Sequence, residues 1–328
     1  MNFLGSNITP LGMGCWPIGG AMYAGSKSLG YTGSDDTASL ATIHAALDHS
    51  ITLFDTAAAY GAGHSETLLG QALRDRPDAL VVTKFGVGID ESTKQLSRDP
   101  FQAAMVIPDV EDSLRRLNRD RIDLLLLHIN EAPIAEAEQL FDEVDRLVSA
   151  GKLRAYGWST DFPERATAMA GRKHFRAVEF ADNVLIDAQN MRQVAEGHGL
   201  HALNRSPLAM GLLSGKYGRD TTLPADDIRS SGEAWLQYFQ NGRTNPEFVS
   251  RMDAIRELLT TGGRTLVQGA LGWLWAKSDL NIPIPGARTP EQIAGIAGAV
   301  DHGPLPKDVM DEIETLIVRD PDAAAKPR

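Results

Sequence analysis

The sequence predicts an α/β fold in which parallel strands close as a (β/α)8 barrel. Three observations carry this. Short apolar runs recur about 25–40 residues apart with amphipathic stretches between them, the spacing of parallel strands covered by helices. Three of these runs end on a polar residue: ITLFD on Asp55, ALVVTK on Lys84 and LLLLH on His128. If each run is a buried parallel strand, the three side chains emerge at one rim of the sheet, and a barrel keeps its chemistry at the C-terminal rim. Finally, 328 residues with 43% hydrophobic content suffice for one large core, read as a single domain over 1–328. A doubly wound open sheet is the alternative architecture.

The elements follow in order. An opening strand is read in PLGMGCWPIGG (10–20), then a helix near 37–50, a strand at 51–56 and a helix at 65–75. The strand at 79–84 leads to a helix at 108–118, where Pro108 suits the first turn and the neighbouring acids suit the positive end of the helix dipole. The strand at 122–128 precedes a helix at 135–151 that Gly151 stops. A strand at 153–159, a short helix near 164–171 and strands at 176–182, 199–206 and 281–286 complete the series. The strand candidates from 51 to 286 are taken as those of the barrel, which leaves the opening strand as an extra element, a cap under it. Residues 214–248, rich in Gly, Ser and Asp and carrying Trp235, Tyr238 and Phe239, read as a long loop over the barrel mouth. The tail after Arg319 reads as loose.

Charge narrows the partners. With 32 basic and 43 acidic side chains the formal net charge is −11, which argues against nucleic-acid binding and against attachment to an anionic membrane. The single cysteine, Cys15, excludes an internal disulfide and reads as a small buried residue. The N-terminus does not read as a signal peptide, and no run approaches the roughly 18 apolar residues of a membrane span. The expectation is a cytoplasmic protein acting on a small molecule, as a monomer or a homo-oligomer.

Taken singly, Asp55 reads as a turn residue, Lys84 as a solvated strand end and His128 as a structural hydrogen-bonder. Their coincidence at matching strand ends, with Tyr60 on the adjoining loop, points to chemistry. A phenol is a poor acid at neutral pH, with a reference pKa of about 10, and a nearby ammonium lowers it. Lys84 can act so if held charged, Asp55 can offset its burial, and His128 can donate to a carbonyl oxygen. The set suits carbonyl reduction, for which the hydride must come from a cofactor. Other patterns carry less. GMGCWPIGG (12–20) has Gly12 and Gly14 but Pro17 where a dinucleotide fingerprint needs its third glycine. His198 and His201 lack an evident third ligand, so no metal site is expected.

These residues resemble those of the aldo-keto reductases. FDTAAAYGAGHSETLLGQAL (54–73) resembles the family's signature, and Lys84 in VVTKFG and His128 in LLLLH match the rest of its catalytic tetrad. The resemblance runs from about Leu11 to about Gln292. It implies a (β/α)8 barrel and an NADPH-dependent oxidoreductase in which Tyr60 donates the proton, Lys84 tunes it, Asp55 supports Lys84 and His128 polarises the carbonyl. By the same resemblance Ser159 and Thr160 stand for the pair that holds the carboxamide, and Glu179 for a usual Gln. Asp182 replaces a usual Tyr, and Asn183 is kept. RSPLAMGLLSGKY (205–217) resembles the phosphate-binding run, which assigns Ser206, Pro207, Leu208, Gly211, Ser214 and Lys216 to the cofactor, with Arg205 in place of the stacking aromatic. The planar guanidinium can stack on the nicotinamide, neutralised by Asp182 or Glu179. PGARTPEQ (285–292) resembles the adenosine-phosphate clamp and assigns Gly286, Arg288 and Gln292, with Arg288 and Lys216 facing a 2′-phosphate; Gly295 and Ile296 depart from the usual Glu-Asn. NADPH (as NADP⁺ when oxidised) is the expected cofactor, and NADH the less favoured one.

Trp16, the loop 21–36 and the loop around Trp235 are expected to shape the substrate site, with Trp16 also beside the cofactor. The long loops suggest a bulky ring ketone, in the manner of bacterial keto-steroid or keto-trichothecene reductases. The alternative is a redox-sensing module like the cytoplasmic β-subunits of potassium channels, which the barrel also resembles.

Overall fold

A computed structural model describes residues 1–320 apart from Thr32 and Arg98. One eight-stranded parallel sheet runs through it in chain order: β1 (Gly12–Gly14), β2 (Leu53–Asp55), β3 (Leu80–Phe85), β4 (Ile122–Leu127), β5 (Leu153–Ser159), β6 (Phe175–Ala181), β7 (His201–Arg205) and β8 (Asn281–Pro283). A parallel bridge from Gly14 to Gly286 brings the end of β8 back against β1, so the sheet is nearly closed. This is a (β/α)8 barrel.

The opening strand is therefore β1 of the barrel, not an extra element, and the candidates from 51 to 286 supply the other seven. Its weak strand signature has a steric cause. A Cβ on Gly14 would lie 2.6 Å from the Ile284 carbonyl oxygen, and one on Gly12 would lie 3.0 Å from the Ile284 side chain. The closing seam needs bare backbone, so the run lacks the β-branched residues that mark a strand. The cap under the barrel is an antiparallel hairpin, Asn2–Phe3 with Ser6–Asn7. Phe3 and Ile8 plug the lumen against Leu53, Leu80, Val82, Leu124, Leu126 and their neighbours. His201 fixes this plug: its Nε2 accepts from the Leu4 amide at 3.4 Å, and its ring lies 4.7 Å from that of Phe3.

Strand periodicity explains why the runs are apolar throughout. Leu124 and Leu126 face the lumen while Leu125 and Leu127 face the helices, so LLLL is buried on both sides. The covering helices are α1 (Asp36–Asp48), α2 (His64–Ala72), α3 (Ala103–Leu117), α4 (Ile134–Ser149), α5 (Pro163–Met169), α6 (Gln189–His198), α7 (Pro246–Leu259), α8 (Leu266–Lys277) and α9 (Pro290–Ala297), followed by Ala299–His302 and Lys307–Leu316. Helix α3 begins five residues before the expected start, so Pro108 lies inside it rather than at its first turn. Val106, Val110, Leu114 and Leu117 continue one buried face through the proline, and that packing compensates the lost amide donor.

Two long loops rise over the C-terminal rim. The loop after β1 forms a hairpin, Tyr23–Ala24 with Lys27–Ser28, joined to strand pieces at Ile89–Asp90 and Gln95–Leu96 after β3. The 214–248 stretch is not wholly irregular. It contains a helical turn at Ile228–Ser230 and a hairpin of Phe239–Gln240 with Arg243–Thr244. The tail after Arg319, expected to be loose, lies outside the described residues from 321 onward. Arg319 itself is held, its side chain 3% exposed and paired with Asp187 and Glu314. Among the described residues no helix is long and apolar enough to cross a membrane.

Phe3 is fully buried at the foot of the lumen. Phe3→Ala is expected to lower unfolding stability by about 3 kcal/mol or more, read from the denaturant midpoint. A loss under about 1 kcal/mol would mean that the hairpin does not plug the core.

Candidate active site

The period of two that builds the lumen also aims the polar residues into it. Asp55 follows Leu53, Lys84 follows Leu80 and Val82, and His128 follows Leu124 and Leu126, each in the inward register. Ser159 continues Ala155, Glu179 continues Ala177, and Arg205 continues Leu203. The apolar lumen thus ends in a polar layer at the C-terminal rim. Above that layer lies a cleft of about 1250 Å³.

Lys84 is the centre of the layer, its side chain fully buried. Its Nζ donates to both Asp55 oxygens at 2.7 and 2.6 Å and to the Thr56 carbonyl at 3.0 Å, and lies 3.3 Å from Tyr60 Oη. Glu179 Oε2 stands 3.2 Å from the same ammonium, a charge contact rather than a directed hydrogen bond, while its Oε1 accepts from Ser159 Oγ at 3.1 Å. Burial pulls the Lys84 ammonium down, but Asp55 and Glu179 outweigh it and hold its pKa above the ordinary value. Burial, then Glu179, raises the Asp55 carboxyl well above the usual carboxylate range, against the opposing pull of Lys84. Tyr60 departs from the expected lowering. Burial raises its phenol, Lys84 draws it down, and Asp55 and Glu179 add to the rise, so the net shift is upward. Burial likewise raises the Cys15 thiol, which suits a packing residue and not a nucleophile.

His128 presents its ring edge-on to Tyr60, centroids 5.8 Å apart at 82°, on the cleft wall. Trp16 stacks beside Tyr60 at 6.0 Å and meets Tyr31 at 5.1 Å and Trp235 at 6.2 Å. The two loops therefore meet over the tyrosine, and an exposed Lys27–Glu233 pair at 2.6 Å joins them at the surface.

Of the expected cofactor residues, Trp16, Glu179, Arg205, Ser206, Pro207, Leu208, Gly211, Lys216, Gly286, Arg288 and Gln292 line this cleft. Ser206, Ala209, Met210 and Gly211 adopt positive φ of 53°, 49°, 53° and 96°, in a tight turn whose Ala209 and Gly211 amides donate to the Ser206 and Leu208 carbonyls. A Cβ on Gly211 would meet the Tyr217 ring at 3.1 Å, a tight contact at a φ that favours glycine. Arg288 donates to the Gly33 carbonyl, and its amide donates to Gln292 Oε1 at 2.8 Å. Ser159 and Thr160 lie beneath the cleft wall: the Thr160 hydroxyl donates to the Asn130 carbonyl at 2.6 Å, and Ser159 is bound to Glu179. Ser214 is exposed and donates to the Gly211 carbonyl at 2.7 Å.

The partner of Arg205 is neither Asp182 nor Glu179 but Asp161. Asp182 is engaged elsewhere, accepting from Arg192 at 2.6 Å and from the Ala188 amide at 3.0 Å, and Glu179 belongs to Lys84. Asp161 lies two residues beyond Ser159, in the inward register that sequence periodicity offers. Arg229 had no such signal, because it sits in the loop over the mouth. It chelates Asp227 at 2.8 and 2.7 Å and lies 4.9 Å from the Tyr217 ring on the same cleft.

Lys84→Met would leave Asp55 and Glu179 buried with no cation between them. A destabilisation of about 3 kcal/mol is expected near neutral pH. The Asp55 carboxyl, whose folded pKa is raised, favours folding below that pKa and loses this as pH rises through it. The penalty should therefore shrink as pH falls from roughly 8 to 5, measured by denaturant unfolding. A penalty that grows toward acid would contradict the charge assignment.

The model of the Aldo/keto reductase family matches residues 10–318. The aldo-keto reductase YhdN of Bacillus subtilis is 30% identical over 322 residues, 95% of this chain and 92% of its own. A probable voltage-gated potassium channel subunit beta of Oryza sativa is 27% identical over 86% of this chain and 88% of its own. Among solved structures, the glycerol dehydrogenase AKR11B4 of Gluconobacter oxydans superposes with a TM-score of 0.78 at 32% identity, covering 94% of this chain and 91% of that one. The protein is a member of the aldo/keto reductase family of oxidoreductases.

Proposed function

We propose that the protein is an NADPH-dependent carbonyl reductase acting on an aldehyde or ketone. The observation that carries this is the convergence of Tyr60, Lys84, Asp55 and His128 at the floor of one cleft. The cleft, at about 1250 Å³, exceeds the roughly 300–1,000 Å³ of an ordinary small-molecule pocket, as a site for a dinucleotide and a substrate together should.

The residues present fit a phosphorylated dinucleotide at one end. The Ser206–Gly211 turn lies on the cleft wall as the segment to meet the phosphates, and Lys216 and Arg288 supply positive charge on the same wall. Lys216 and Arg288 are the residues to meet a 2′-phosphate, which favours NADPH over NADH. At the other end Arg205 offers a planar, Asp161-neutralised guanidinium for stacking on the nicotinamide, and Glu179 an acceptor for its carboxamide. When bound, the reduced nicotinamide supplies the hydride.

The chain's own residues do the rest. Tyr60 gives its phenolic proton to the carbonyl oxygen as that oxygen gains charge, and His128 donates a hydrogen bond to the same atom. Lys84 takes up the charge left on the phenol, and Asp55 fixes the ammonium beneath it. Trp16, Tyr31 and Trp235 roof the reacting atoms and exclude water. Met22, Leu29, Leu96 and Phe101 make the adjoining wall apolar, which suits a hydrophobic carbonyl compound, including a ring ketone.

A second reading rests on the likeness to the channel subunits: a redox-sensing subunit that binds NADP(H) and turns over slowly. The test is NADPH oxidation with a panel of aldehydes, diketones, ring ketones and, in reverse with NADP⁺, glycerol and other alcohols. Multiple turnovers are expected, reduced about 10²- to 10⁴-fold in Tyr60→Phe. Tight NADPH binding with no release across the panel would favour the sensor, and turnover that survives in Tyr60→Phe would exclude Tyr60 as the acid.

A further inference from the structure

Lys84 has three N–H donors, yet five acceptor atoms crowd it within 3.3 Å: two of Asp55, the Thr56 carbonyl, Glu179 Oε2 and Tyr60 Oη. Tyr60 is the most distant of the five. One ammonium is shared by two carboxylates from strands far apart in the sheet, β2 and β6, and both are buried, at 4% and 2% side-chain exposure. Glu179 Oε1 accepts from Ser159 Oγ at 3.1 Å, and its Oε2 lies 3.2 Å from Lys84 Nζ. The aldo-keto resemblance puts an uncharged Gln at this position, and the geometry gives Glu179 something different to do.

We propose that Glu179 is a positioning residue that acts through Lys84: as a second carboxylate on that ammonium, it keeps Tyr60 a phenol, a proton donor rather than a base. With one carboxylate the pair beside Tyr60 is neutral. With two it carries a net negative charge, and a phenolate forming 3.3 Å from Nζ meets that charge instead of an unshared cation.

The titratable and polar groups facing this cluster come from seven of the eight strands. Asp55 on β2 and Glu179 on β6 are the anions, and Lys84 on β3 is the cation. Cys15 after β1, His128 after β4 and Ser159 on β5 surround them, and Arg205 at the end of β7 is paired with Asp161. The buried Cys15 thiol is pushed upward and adds no charge at neutral pH. The upward shift of Tyr60 agrees in direction, Glu179 being among its causes after burial, Lys84 and Asp55.

The proposal rests on Tyr60 as the acid of the reaction. It predicts that carbonyl reduction persists to higher pH than a lone Lys–Asp pair would allow. It also predicts that alcohol oxidation, which needs the phenolate, sets in only at alkaline pH.

The test does not need turnover. A fluorinated tyrosine, whose phenol is more acidic, is incorporated at position 60 and its ionisation is followed by fluorine NMR in the full chain without cofactor. Glu179→Gln retains the size of the side chain, can turn its amide oxygen to Lys84 and can meet Ser159 with its NH₂. The midpoint of residue 60 is expected to fall by about half a unit or more relative to the parent protein. A smaller fall, no change or a rise overturns the proposal. Should Glu179→Gln fail to fold, Glu179→Asp withdraws the carboxylate by one methylene and is expected to lower the midpoint in the same direction; an unmoved midpoint overturns the proposal. Absence of NADPH turnover in the parent protein would sink the reductase reading but leave this titration intact, so the two failures are distinguishable.

Discussion

A fully buried ammonium is the constraint on which the rest of this structure depends. Lys84 has no contact with solvent, and a charge removed from water is tolerated only where other charges and hydrogen bonds replace its hydration. Asp55, Glu179 and the Thr56 carbonyl do so from β2, β6 and the loop after β2. Lower in the lumen Leu80, Val82, Leu124 and Leu126 pack against one another and offer the ammonium no side-chain acceptor. The cluster forms where the inward register reaches the open rim, one step short of solvent. The location of the chemistry thus follows from the lysine's electrostatics as much as from the barrel.

The same layer divides the molecule into an apolar half that holds the barrel together and a polar half that binds. Below it, Phe3 and Ile8 close the lumen from the bottom, pinned by His201. Above it, the loops after β1 and β7 meet through Trp16, Tyr31 and Trp235. The exposed Lys27–Glu233 pair joins those loops, but such a pair contributes little free energy in water, so the aromatic contacts carry most of the closure.

Much of this was legible in the chain. Period-two alternation reads Asp55, Lys84 and His128 into one register, and the apolar runs locate seven strands well. What failed had local physical causes. Strand β1 was read as a strand but placed outside the barrel, since its glycines at the closing seam lack the apolar signature of the other seven. The start of α3 was placed too late because Pro108 looks like a boundary while the buried face runs through it. The partner of Arg205 was misassigned because pairing in a barrel depends on which strand ends adjoin across the rim, and sequence order does not encode that. Asp161 lies one inward step past Ser159 and was within reach of the same periodicity; Arg229 was not, because its place is set by the loop over the mouth.

The most direct measurement is a crystal structure of the protein with NADP⁺ and a carbonyl ligand. The account requires the nicotinamide against Arg205, with the phosphates along Ser206–Gly211 and toward Lys216 and Arg288. The carbonyl oxygen should lie within hydrogen-bond distance of both Tyr60 Oη and His128. A dinucleotide bound outside this cleft, or a carbonyl held away from Tyr60, would contradict it.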